Sequence, residues 1–133
     1  MVKKLDFAKR WIVFAKEDLK VSKLALKEGI YNAACFHAQQ AVEKIFKSLF
    51  VKNGKTVPKV HSLEKLRTDL GKVNAVWNNF EKETRLLDKF YVPTRYPDAL
   101  PGSLPDGLPN NKDARLAVDA AEEIFKAAKN KSE

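Results

Sequence analysis

The fold is decided by the stretch "AKEDLKVSKLALKEGIYNAACFHAQQAVEKIFKSLF", residues 15–50. Ahead of its single glycine, apolar residues recur at three- and four-residue steps over residues 6–27. They are Phe7, Trp11, Phe14, Ala15, Leu19, Val21, Ala25 and Leu26, the pattern of an amphipathic helix. Gly29 stands where a glycine usually ends a helix. Only Ile30 and Tyr31 separate it from a second periodic run over residues 32–52, with Asn32 placed as its N-cap. The apolar positions there are Ala34, Ala38, Ala41, Val42, Ile45, Leu49 and Phe50, and Gly54 closes the run. Two long helices on so short a link form an antiparallel pair. The alanines at the start of the second leave room for its neighbour to approach closely.

Working outward, residues 62–70 read as a short helix ended by Gly71. Residues 75–90 read as a fourth helix, with Val76, Trp77, Phe80, Leu86, Leu87 and Phe90 apolar. A proline-rich crossover loop spans about 92–111, and a last helix runs over 112–129. No strand pattern is present. The expected fold is all-α: an up-and-down antiparallel helical bundle of four main helices plus one short helix. It is read as one domain over residues 1–133. At 44% hydrophobic, a chain this long buries roughly two-thirds of its unfolded surface.

The net charge is +8 and the pI near 9.6, which points to an anionic partner such as RNA, a nucleotide or an acidic protein. The lysines are spread along the whole chain, however, as on any soluble helical surface. One cysteine, Cys35, excludes an internal disulfide. The longest apolar run near the N-terminus, residues 11–15, is too short for a signal core or a membrane span. A cytoplasmic protein without membrane association is expected.

Several polar residues fall on faces that should be apolar. Asp18 borders the packing face of the first helix. On the second, His37, Gln40 and Lys44 form one i, i+3, i+7 stripe with Glu43 beside it. Buried charges require partners, so these residues outline a polar cleft between neighbouring helices. His61, just before Ser62, reads as a cap or packing residue. No glycine-rich phosphate loop, zinc-ligand spacing or nucleophile motif is present, and no metal or cofactor is expected. In the loop, Pro93 and Pro97 hold the residues before them extended and so fix Arg95 and Tyr96 against the bundle. Leu100, Leu104 and Leu108 are expected to cover apolar surface, on this chain or a partner.

The quoted stretch resembles the first two helices of a HEPN domain. The matching features are Ala15-x-x-Asp18-Leu19, the Gly29-x-Tyr31 link, and Gln40-Ala41-x-Glu43-Lys44 with Lys47 a turn later. Further on, His61-x-Leu63-x-x-Leu66 and "YVPTRYPDA" over residues 91–99 also resemble the family. The order holds over about residues 11–125. The resemblance implies a helical bundle that commonly dimerises. It also implies an association with minimal nucleotidyltransferases, often in toxin–antitoxin pairs. Many members are metal-independent ribonucleases bearing an arginine followed, after four to six residues, by a histidine. Here no histidine stands at that spacing beyond Arg10, Arg67, Arg85, Arg95 or Arg115, which argues against nuclease activity.

Three functions compete. The first is a non-catalytic, homodimeric nucleotide- or partner-binding module associated with a nucleotidyltransferase. Its ligand or partner would be held by Arg95, Tyr96, Lys44, Gln40, Glu43, Asp18, His37 and His61. In it Arg95 supplies a planar fork for phosphate or carboxylate, Tyr96 stacks on a base and Lys44 adds a point charge. The second is a ribonuclease toxin with a rearranged site, using His37 or His61 as base and Arg95 as stabiliser. The third is a purely structural dimerising bundle, in which Asp18, Lys44 and Arg95 form an ion-pair network.

Overall fold

A computed structural model of the chain describes residues 4–91 and 108–132, with side chains over 6–91 and 108–129. The described residues are helical: α1 (Lys4–Lys27), α2 (Tyr31–Lys52), α3 (Leu63–Gly71), a 3₁₀ segment (Ala75–Phe80), α4 (Glu81–Asp88) and α5 (Asn111–Ser132). The long helices α1 and α2 form the antiparallel hairpin, and α5 packs along both. The shorter elements close the other side of α2. Arg95, Tyr96, Leu100 and Leu104 lie outside the described residues, as does most of the crossover loop.

The link between α1 and α2 is set by Gly29. Its φ of 76° is left-handed backbone that a side chain disfavours. It lets Ile30 N–H reach back to Ala25 O at 2.8 Å while Gly29 N–H bonds Leu26 O, a Schellman-type end. The turn is tight enough that Ile30 O already accepts from Ala34 N–H. Asn32 is therefore inside α2 and not its cap; Ile30 holds the cap position without a side-chain bond. Close approach follows from Ala34, Cys35, Ala38 and Ala41, all fully buried, and from buried Ser22, whose Oγ donates to Ala34 O at 2.7 Å.

The expected fourth helix is split. Asn74 Oδ1 accepts from Val76 N–H, and Trp77 N–H bonds Asn74 O three residues back. The segment therefore starts with the tighter 3₁₀ winding. That winding puts Trp77 and Phe80 on one side, three residues apart, with Trp77 edge-on to Phe46 and tilted against Phe80. Regular α-helix resumes at Glu81 and carries Leu87, with Phe90 just beyond it, into the core. α3 is capped by Ser62, whose Oγ accepts from Lys65 N–H, so Ser62 and not His61 is the cap. Asp88 reinforces it from α4, accepting from Leu63 N–H and Glu64 N–H. α5 begins with a reciprocal pair: Asn110 Oδ1 accepts from Asp113 N–H and Asp113 Oδ2 from Asn110 N–H, a capping-box arrangement. Leu108 is exposed and Pro109 is buried, so Leu108 covers no apolar surface of this chain.

α1 departs from a simple amphipathic reading. Ala8, Ala15, Leu19 and Ala25 are buried and Trp11 half-buried, whereas Phe7, Phe14 and Val21 are exposed. These three residues repeat every seven positions, so they align on one stripe of the helix. They do not join the core; α1 has a second apolar face. No described helix is long and apolar enough to cross a membrane.

Candidate functional site

The sequence pattern joined His37, Gln40, Lys44 and Glu43 in one cluster. The structure resolves them into two adjacent networks along α2. In the first, Asp18 of α1 reaches across to α2. His37 Nδ1–H donates to Asp18 Oδ1 at 2.8 Å, and Lys44 Nζ pairs with Asp18 Oδ2. Burial alone would raise the Asp18 carboxyl. The bonds from His37 and Lys44 outweigh it and hold the group below its usual range, so it stays ionised and acts only as an acceptor. The His37 ring also meets Phe36 edge-on.

The second network centres on Glu43, which is nearly inaccessible. It pairs with Lys47 at 3.0 Å, accepts from His61 Nδ1–H at 3.0 Å, and bonds Gln39 Nε2 at 3.3 Å. Gln39 also donates weakly to His61 O. Gln40 does not reach Asp18. It donates to Gln39 Oε1 at 2.7 Å and extends the second network toward the first. Lys47 is itself buried, and its ammonium lies 5.9 Å from the centre of the Trp11 ring. His61 is the exposed end of this network. Its ring stacks on Tyr91, with centres 5.1 Å apart and planes 17° apart, and Tyr91 is the last described residue before the segment that contains Arg95 and Tyr96.

Gln39, Lys47 and Tyr91 therefore join the networks. Of these, Tyr91 opens the stretch 91–98 that the sequence marks as a short site and Lys47 stands with the family motif, while Gln39 is not singled out by the sequence. The signal for Gln39 was the i, i+4, i+8 row 39–43–47, obscured because Gln39 resembles an ordinary surface residue until Glu43 is known to be buried. The contact that Tyr91 makes depends on the tertiary approach of His61. Asp18, His37, Lys44, Gln40, Glu43 and His61 fall within these two adjacent networks.

Chemically, each histidine offers an Nε2 atom whose ring is oriented by a carboxylate on Nδ1. Such a group is able to bind an anion when protonated or accept a proton when neutral. Among the described residues no group of three or more His, Cys, Asp and Glu side chains is arranged to hold a metal ion. Cys35 is no nucleophile here: burial, helped by Asp113, pushes its thiol up to about 12.

The HEPN domain family matches residues 8–131. A curated relative, "Putative toxin MJ1304" of Methanocaldococcus jannaschii, is 28% identical over 134 aligned positions, covering 94% of this chain and 88% of the relative. Among solved structures, TT1696 from Thermus thermophilus superposes with a TM-score of 0.81 at 34% identity, over 93% of this chain and 97% of that one. ST0689, an archaeal HEPN homologue, gives 0.75 at 29% identity with both chains fully covered. An HEPN domain protein of Thermotoga maritima, tm0613, gives 0.71 at 29% identity, over 91% and 95% of the two chains.

Proposed function

The chain belongs to the HEPN domain family, and from that premise we propose that it is a non-catalytic member of a toxin–antitoxin-like pair. In this reading it holds a minimal nucleotidyltransferase partner, and a nucleotide or its phosphates, through Lys44, Gln40, His37 and His61, with Arg95 and Tyr96, which lie outside the described residues, as further ligands. Asp18 and Glu43 orient the two histidines from beneath. The toxin relationship is supported by the relative named above.

One observation carries the non-catalytic part. All four described arginines are engaged away from both histidines. Arg10 lies over the Phe7 ring. Arg67 and Arg85 bond Glu64, and Arg115 bonds Asn111. Neither histidine follows an arginine at the spacing of the family's ribonucleases. Calorimetry and thermal-shift measurements with ATP, GTP, UTP and CTP test the nucleotide component. A rise in melting temperature that Lys44→Ala or Arg95→Ala abolishes supports it, and no binding at millimolar ligand removes it. Co-purification with the host's minimal nucleotidyltransferase tests the partner component.

The two carboxylate–imidazole pairs favour one other reading, a ribonuclease with a rearranged site in which His37 or His61 is the base and Arg95 the stabiliser. It requires Arg95 within reach of a histidine Nε2, directly or through one water. A structure that placed both histidines more than about 10 Å from Arg95 would defeat it.

Dimerisation is assigned to the outer stripe of α1. About a two-fold axis at Phe14, an antiparallel copy of α1 sets Phe7 against Val21 and brings Arg10 near Glu17. The patch is thus self-complementary, as an isologous interface requires.

A further inference from the structure

Between residues 6 and 27, α1 carries lysine at every position of one narrow arc. At 3.6 residues per turn, Lys9, Lys16, Lys20, Lys23 and Lys27 fall within about 60° of one another around the helix, and no other residue of that stretch falls among them. All five are exposed. At 1.5 Å per residue the row is about 27 Å long. It lies about half a turn around α1 from Asp18, so it faces away from the polar networks. It is also clear of the Phe7, Phe14 and Val21 stripe. Among the described residues only Lys23 has a carboxylate partner, Glu122 of α5. Lys16 and Lys20, like Lys23 and Lys27, stand four apart, where like charges oppose helix formation. A face that only had to meet water would intersperse both signs. A single-signed line of this length calls for a partner with several anions in line.

We infer that the row binds the phosphate backbone of a nucleic-acid duplex without reading its sequence. B-form DNA presents a phosphate every 3.4 Å along each strand, so lysines spread over this length meet phosphates in any register. The arc holds no amide, hydroxyl or aromatic side chain that could read a base edge or stack on a base. Single strands are held on aromatic platforms, and Phe7, Trp11 and Phe14 lie on other sides of α1. A protein partner needs apolar or aromatic anchors at the centre of its interface, where lysine is depleted. An anionic membrane needs a broad apolar face beside the lysines, and of the exposed large apolar residues only Val13 and Leu24 border the row.

The test uses the full chain and fluorescein-labelled DNA and RNA duplexes of about 16 base pairs, twice the length of the row. Fluorescence anisotropy is expected to show binding of both, equal within a few-fold for two unrelated sequences, and weaker binding of the single strands. Log affinity should fall linearly with log salt between about 50 and 200 mM. K16Q/K20Q should weaken binding at least about tenfold at the lowest salt and make that slope shallower by about 2, near 0.9 for each lost contact. Charge-matched K82Q/K89Q, also at exposed positions, should do neither. Circular dichroism melts confirm that both variants fold. Equal weakening by the two double variants reduces the effect to general charge attraction and overturns the inference. So does absence of duplex binding at about millimolar protein, well above the usual range for non-specific binding. Tighter binding of the single strands, or binding confined to one duplex type or one sequence, shows recognition beyond the backbone and overturns it. Duplex binding that Lys44→Ala abolishes and K16Q/K20Q spares moves the contact to the polar networks and overturns it. Binding of polyglutamate or of phosphatidylserine vesicles that depends on Lys16 and Lys20, without duplex binding, reassigns the row to an acidic protein or a membrane and overturns it too.

Discussion

Replacing Glu43 with leucine should be among the most damaging single changes at the site, and the reason can be worked from its neighbours. Glu43 and Lys47 are both nearly inaccessible and pair at 3.0 Å. Without the carboxylate, the Lys47 ammonium keeps only the face of Trp11, a contact worth about 0.5–2 kcal/mol. An uncompensated buried charge costs about 3–5 kcal/mol, so the loss should fall near the lower end, about 3 kcal/mol. For 133 residues the unfolding entropy is roughly 0.28 kcal/mol/K, so the melting temperature should drop by roughly 11 °C. Lys47→Met is milder, about 1–2 kcal/mol, because Glu43 keeps His61 and Gln39 as donors. The double variant Glu43→Leu/Lys47→Met removes both charges and should lie within about 1 kcal/mol of the parent apart from the lost His61 contact. Thermal and urea melts of the four proteins form a double-mutant cycle. Strictly additive losses, or a harmless Glu43→Leu, would refute the buried network.

Three other expectations follow from the same physical picture. Glu64 bonds Arg67 first of all, then Thr84 and Arg85, and is held down to about 2 against an ordinary 4.5. Its folded value is the lower one, so its stabilisation is present above pH 4.5 and is lost as pH falls toward 2. Being a quarter exposed, it should contribute on the order of 1–2 kcal/mol after screening, and urea titrations of Glu64→Gln should show a correspondingly flatter acid limb. Phe14→Glu should convert a dimer to a monomer in sedimentation velocity without lowering the helical signal; an unchanged oligomer would place the interface elsewhere. Asp18→Asn should weaken the hold on His37 and Lys44 and cost about 1–3 kcal/mol. Nitrogen-15 NMR should show the His37 ring no longer locked as the Nδ1–H tautomer, and an unaltered tautomer would mean that Asp18 does not orient it.

The helical hairpin was legible because its evidence is local: periodicity on both sides, one glycine at the turn, and alanines where α2 meets α1. Local evidence was weaker where two solutions share a pattern. Phe7, Phe14 and Val21 satisfy helical periodicity as well as Ala8, Ala15 and Leu19 do, and only the burial of the alanines shows which face looks inward. The 3₁₀ start before α4 depended on the Asn74 bond and on where Trp77 meets Phe46, and neither is a matter of propensity. At the site the residue types were visible, but their grouping was not. His37 and Lys44 sit one α2 stripe away from Gln39, Glu43 and Lys47, and Asp18 and His61 decide which stripe each network uses. Of the two roles expected for His61, cap or packing residue, the cap falls to Ser62, which supplies the cap oxygen and leaves the imidazole to bond Glu43 and stack on Tyr91.

The central claim is that this HEPN protein binds and does not cut. It is tested most directly by incubating the purified chain, alone and with the proposed nucleotidyltransferase partner, with end-labelled RNA, beside His37→Ala, His61→Ala and Arg95→Ala variants. The account predicts intact RNA at a level indistinguishable from the three variants, together with a stable complex that Arg95→Ala weakens. Cleavage by the parent chain that any one of these substitutions abolishes would contradict it and make the rearranged ribonuclease the correct reading.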